Sequence, residues 1–158
     1  MPDLLFSVSK VEVSDDGAAW TDLGVTKGGA RLNQDPENLE ITSDQNADPE
    51  AVIPIRAVKT ISLNLLDAKP ENIALAFGGT VNGSAVEIPA VLSGVEKQLR
   101  ITTKPINGVK FTIEVPRASI TGRSEINLTN DDAAVLPLEI KVLTPQSGPA
   151  VTITKVTA

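Results

Sequence analysis

The chain has 158 residues, 41% of them hydrophobic but only 3% aromatic, and carries 20 acidic against 14 basic side chains for a net charge of −6. It contains no Cys, His or Tyr, which excludes a disulfide framework, thiolate or imidazole metal sites, and any catalytic triad or general base that needs histidine. The acidic excess, with no basic cluster and no aromatic stacking platform, argues against stable binding of nucleic acid.

A chain of this length can bury roughly 68–70% of its unfolded surface, so a single domain over residues 1–158 with an aliphatic core is expected. Eleven Pro and eleven Gly, scattered along the chain, suit many short strands joined by turns. The opening MPDLLFSVSK holds an acid and lacks the apolar run of a secretory signal. No run of 18 apolar residues occurs, so no membrane insertion is expected.

In chain order, Leu4–Ser14 alternates, with Phe6, Val8 and Lys10 on one face and Val11 and Val13 in the other register; a bulge or edge near Lys10 would account for the switch. Asp15-Asp16-Gly17 reads as a turn, WTDLG (20–24) as a short return strand, and Gly28-Gly29 as a break before Ala30–Asn33. Leu39, Ile41 and Ser43 form the next strand. Asp44–Glu50 is a polar loop, and the whole Asp44–Ala57 segment reads as a long polar connection. From Ala57 the period of two is plain: Ile61, Leu63 and Leu65 share one face, Thr60, Ser62 and Asn64 the other. Pro70-Glu71 then opens a helix of about two turns, with Ile73, Ala76 and Phe77 on one side and Gly78-Gly79 as its stop.

The second half is strand-rich. Val86–Leu92 and Lys97–Thr103 flank a turn at Ser93-Gly94. Asn107-Gly108 marks a hairpin between Lys97–Thr103 and Val109–Val115. In that last strand Val109, Phe111, Ile113 and Val115 face in, while Lys110, Thr112 and Glu114 face out. Leu136–Val142 and Val151–Val156 complete the series. The expected fold is all-β, a β-sandwich or flattened barrel, with one short flanking α-helix.

Nothing in the chain asks for catalysis or a cofactor. Asp44-Gln45-Asn46-Ala47-Asp48 begins like a calcium loop, but Pro49 stands where the sharp turn needs Gly and Ile55 where a bidentate Glu must close the site. Thr26-Lys27-Gly28-Gly29 lacks the spacing and the following helix of a phosphate cradle. The pairs Asp15-Asp16 and Asp131-Asp132 adjoin turn residues, and turns explain both. Asn82-Gly83-Ser84 and Asn127-Leu128-Thr129 match the glycosylation pattern, which has no role without a secretory signal. Trp20, the single tryptophan, reads as a sheet cover or an interface contact.

Several segments taken together resemble the tail tube (major tail) proteins of long-tailed bacteriophages. They are WTDLGVTKGGARL (20–32), LEITSDQ (39–45), VKTISLNLLDAKPENIALAFGG (58–79) and LPLEIKVLTPQSG (136–148) followed by VTITK, in that order and spacing. Lys69 departs from the Thr or Ser expected as the helix cap. The resemblance implies a non-enzymatic virion protein whose rings, usually hexameric, stack around a tape-measure protein into a hollow tube. It implies tail-terminator and initiator proteins as further partners, assembly in the host cytoplasm, and transit of DNA without stable binding. On that basis Asp44, Gln45, Asn46, Asp48, Glu50 and Arg56 are candidates for ring stacking, and Thr60, Ser62, Asn64, Thr112 and Glu114 for the lumen wall. The alternative is a non-catalytic β-sandwich binding or adhesion module.

Overall fold

The computed structural model describes residues 2–5, 7–91, 94–120 and 125–157. The expected placement of Phe6, and parts of the expected Val86–Leu92 strand and Ser93-Gly94 turn, fall outside the described residues. The elements are β1 (Val8–Ser14), β2 (Thr21–Asp22), β3 (Thr26–Ile41), β4 (Ala51–Leu65), α1 (Pro70–Phe77), β5 (Thr80–Asn82), β6 (Ala85–Glu87), β7 (Val95–Thr103), β8 (Val109–Ile120), β9 (Leu136–Val142) and β10 (Thr152–Thr157). The fold is all-β with one short helix.

The main sheet runs β2-β1-β7-β8-β9-β4-β3, with β10 also paired to β8, and its neighbours are antiparallel. Its two edges, β2 and β3, are separated in sequence only by residues 23–25. A flat path of these strands would put the edges roughly 29 Å apart, whereas that link reaches at most about 14 Å. The sheet must therefore curl until its edges nearly meet. Two backbone hydrogen bonds tie the link to the walls on either side of the seam: the Leu23 amide donates to the Val11 carbonyl at 2.9 Å, extending the β1–β2 ladder, and the Leu66 amide to the Val25 carbonyl at 2.8 Å, extending the β3–β4 ladder. Inside the flattened barrel, Val11, Val13, Leu99, Ile101 and Val115 meet Ile61, Leu63, Leu65, Leu136, Leu138 and Ile140 in one aliphatic cluster.

β8 serves both walls because it changes partner along its length. Val109–Glu114 pairs with β10 and Ala118–Ile120 with β9. Between them Lys97 faces Ala118 and Leu99 faces Val115, so Pro116 and Arg117 together oppose Gln98. This bulge resets the alternation: Ile113 and Val115 point to the core before it, Ala118 and Ile120 after it. Period-two reading stops at Val115 for that reason, five residues before the strand ends.

Lys69, at the cap position of α1, makes no side-chain cap bond. The helix is held instead by Asn72, whose amide donates to the Leu23 carbonyl at 2.7 Å and the Asp67 carbonyl at 2.8 Å. It is 1% exposed, a buried polar anchor the helical periodicity does not reveal. Gly78, in the left-handed conformation, ends the helix. In place of the expected Val86–Leu92 strand there is a short β5-β6 hairpin, which lies against α1.

Candidate assembly interface

The functional candidate is built from β3 and β4. The expected break at Gly28-Gly29 is a bulge within β3: Thr26 pairs with Leu65 and Ala30 with Leu63, so three residues oppose Asn64 alone, and both glycines take positive φ. β3 then continues unbroken through Pro36 to Ile41, joining the two short strands expected from the sequence. β4 likewise begins at Ala51, so residues 51–57 are strand and the expected long Asp44–Ala57 connection shrinks to 42–50.

β4 pairs with β9 only from Thr60 to Leu65. Beyond that point, from Gln34–Lys59 to Ile41–Ala51, β3 and β4 pair only with each other among the described residues. They form a two-stranded arm that reaches about 26 Å past the barrel at the usual rise per residue. Nearly every arm residue is exposed on both faces. Leu39 stands opposite Ile53 and Ile41 opposite Ala51, so alternation gathers Leu39, Ile41, Ala51 and Ile53 on one face. Leu39, Ile41 and Ile53 are 51%, 44% and 46% exposed. Covering each would contribute on the order of 1 kcal/mol.

At the tip, Glu50 organises the loop. Its carboxylate accepts from the Ser43 hydroxyl at 2.7 Å and from the Asn46 amide at 2.6 Å, and its backbone amide closes the loop on the Ile41 carbonyl at 2.7 Å. The Ser43 hydroxyl, then the Asn46 amide, holds the Glu50 carboxyl below its ordinary value. Asp44, Gln45, Asn46, Asp48 and Glu50 thus share one exposed tip. Arg56 does not belong to it: it lies in β4 opposite Glu37, with which it forms a salt bridge across the arm.

The five lumen candidates all project away from the core, in two separate groups. Thr60 is flanked by Asn33 and Lys141, Ser62 by Arg31 and Glu139, and Asn64 lies opposite Pro137. Thr112 sits in a row with Thr102 and Thr154, and Glu114 faces Arg100 and Thr152. The first group lies on the β3-β4-β9 wall and the second on the β7-β8-β10 wall.

The other carboxylates work locally. Asp16 accepts from the amides of Ala18 and Ala19 at 2.9 and 3.1 Å, and these bonds, with the Ser14 hydroxyl, hold its carboxyl below the ordinary value. Asp15 pairs with Lys97 and Asp132 with Lys27. Trp20 packs beneath the Arg100 guanidinium, a pairing that no spacing in the sequence signals.

Among solved structures, a chain from the six-fold symmetrised baseplate of the anti-feeding prophage shares the fold at a TM-score of 0.59 and 11% identity, over 99% of this chain and 97% of that one. A chain from the virion of a native gene transfer agent particle matches at a TM-score of 0.50 and 14% identity, over 91% and 95%. No curated protein matches in sequence. The profile of the phage tail tube protein family matches residues 7–155. With the match running from the start of β1 into β10, the chain belongs to the phage tail tube protein family.

Proposed function

We propose that copies of this chain form rings, six to a ring, that stack into the hollow tube through which the phage genome leaves for the host. The chain acts as a non-catalytic structural part, assembled in the host cytoplasm around a tape-measure protein and bounded by terminator and initiator proteins. The observation that carries this reading is the arm. A two-stranded extension with an apolar face and no partner among the described residues of its own chain has a physical use only when another surface covers it. The six-fold assembly that contains a chain of the same fold supports the ring number. In the assembled state the tip residues Asp44, Gln45, Asn46, Asp48 and Glu50 meet the adjacent ring. Arg56, through Glu37, stiffens the arm behind them. One of the two polar walls, Thr60-Ser62-Asn64 or Thr112-Glu114, turns toward the lumen.

Negative-stain electron microscopy of the purified protein, with its sedimentation profile, tests this. Rings or tubes of uniform diameter are expected from the full chain. Replacing 44–49 by a short Gly-Ser turn is expected to leave folded subunits that no longer stack. Normal tubes from that deletion would remove the tip from the stacking contact, and a full chain that stays monomeric with its tape-measure and initiator partners present would overturn the assembly role.

A further inference from the structure

The arm is poorly suited to joining another sheet along its edges. Proline supplies no donor, and within sheets it occupies positions whose N–H would point away from the ladder. Pro36 stands opposite Ala57 and Pro54 opposite Asn38, so each outer edge of the arm loses a donor near its middle. The register shift beside Ile55 bends the same stretch. What the arm offers is a face, Leu39, Ile41 and Ile53, next to a strongly acidic tip. Residues 38–55 contain Glu40, Asp44, Asp48 and Glu50 and no Lys or Arg. A surface that receives this tip needs an exposed apolar floor beside a cation with no acid of its own.

The barrel seam provides both. Between the start of β1 and the start of β3 lies a groove of about 500 Å³, lined by Val8, Val25, Gly28, Gly29 and Lys104 among others. Its size falls within the range of about 300–1,000 Å³ common to binding clefts. Val25 is 64% exposed in it. Apart from the adjoining residues of the chain, no atom stands within 4 Å of where a Cβ would sit on Gly28 or Gly29, so the wall beside Val25 is low. Lys104 takes part in none of the salt bridges among the described residues. Asp22 also borders the groove; its carboxylate accepts only the neutral Gly24 amide, at 2.8 Å, so its repulsion remains and turns an incoming acid toward the Lys104 side.

We infer that the arm of one copy seats face-on in the seam of the next, with Leu39, Ile41 and Ile53 over Val25 and the tip acids Asp44 and Asp48 against Lys104. The occupant is a second copy because the chain itself carries both halves of the contact, matched in charge and in apolar surface. The contact is heterologous, so it repeats from copy to copy and does not close a pair. It rests on the reading that this chain stacks into a tube.

The absence of native Cys makes single cysteines unambiguous reporters. Ile41→Cys and Val25→Cys proteins, mixed, assembled and mildly oxidised, are expected to yield a disulfide-linked dimer. Ile41→Cys mixed with Leu128→Cys, on a surface outside the groove, is expected to yield at least tenfold less. Independently, Lys104→Glu is expected to reduce polymer at least tenfold while subunits stay folded by circular dichroism, and Asp44→Lys with Asp48→Lys in the same chain to restore it. Well-formed tubes without the 41–25 link, or wild-type growth of Lys104→Glu, would overturn the seam contact and leave the tube reading intact. A wild-type chain that forms neither rings nor tubes would overturn the tube reading and this contact with it.

Discussion

The guanidinium of Arg100 lies 4.2 Å from the ring centroid of Trp20 and at the same time holds both carboxylate oxygens of Glu12 at 3.2 Å. Glu12 is nearly buried and has Lys10 as a second cation at 3.4 Å. The cluster pins β1, the return strand β2 and β7 to one another on the outside of the barrel, and β1 forms one wall of the seam.

Removing the acid from this cluster leaves two cations facing each other with no counter-charge. Glu12→Ala is expected to cost about 2–3 kcal/mol. For a chain of this size that lowers the melting temperature by roughly 2–4 °C per kcal/mol. Thermal melts followed by Trp20 fluorescence check it, and an unchanged midpoint would reduce the cluster to surface decoration.

The tip loop is expected to respond to acid. Glu50 has a folded value below the ordinary 4.5, so the order its ionised form gives the loop is fully present above 4.5 and is lost as the pH falls through the folded value. Carboxyl NMR titration of Glu50, with the Ser43 and Asn46 signals followed alongside, measures this. Titration of Glu50 at or above 4.5 would show that the tip is not held by these two hydrogen bonds in solution.

A cation placed on the lumen wall should retain phosphate, while the same cation elsewhere on the surface should not. Ser62→Lys and Thr112→Lys probe the two polar walls separately. Both are expected to assemble normally, and only the one facing the channel is expected to slow genome release, several-fold and less so at high salt. Wild-type release rates for both variants would place neither wall on the lumen.

Pro36 and Pro54 protect the arm by what they lack. Replacing both with Thr restores a donor to each outer edge and makes strand-by-strand addition possible. Light scattering is expected to show irregular aggregates in place of uniform tubes, with a stronger effect in the double variant than in either single one. Clean tubes from the double variant would mean that the bulge beside Ile55 alone protects the edges.

The parts of this fold that were legible in the sequence are those with one wet face and one dry one. Ile61, Leu63 and Leu65 alternate with Thr60, Ser62 and Asn64 because β4 there lies against the core. Asn107-Gly108 turns a hairpin because both residues adopt positive φ. β3 and the outer half of β4 were not legible as strands for the opposite reason. With neither face buried, nothing enforces alternation, so Val52, Ile53 and Ile55 fall in no clear period and merge in the sequence with the polar loop before them. The tip residues lie together as their spacing suggested. Arg56 separated from them because its partner, Glu37, is set by register across the hairpin, which local sequence does not encode. The extension of β8 past Pro116 was hidden by its own bulge.

The pairing of β3 with β4 joins neighbours in the chain, whereas the barrel waits for distant partners: Thr60 meets Lys141, and Val8 meets Thr103. Local hairpins close early and long-range ladders late. On the ribosome the arm can therefore form while the strands that complete its own barrel are still unmade. Nascent chains would display a sticky, acid-tipped hairpin before they possess a finished seam to receive one. If the seam receives the arm as inferred above, synthesis order would delay polymerisation, because a growing chain could offer its arm before it could accept another.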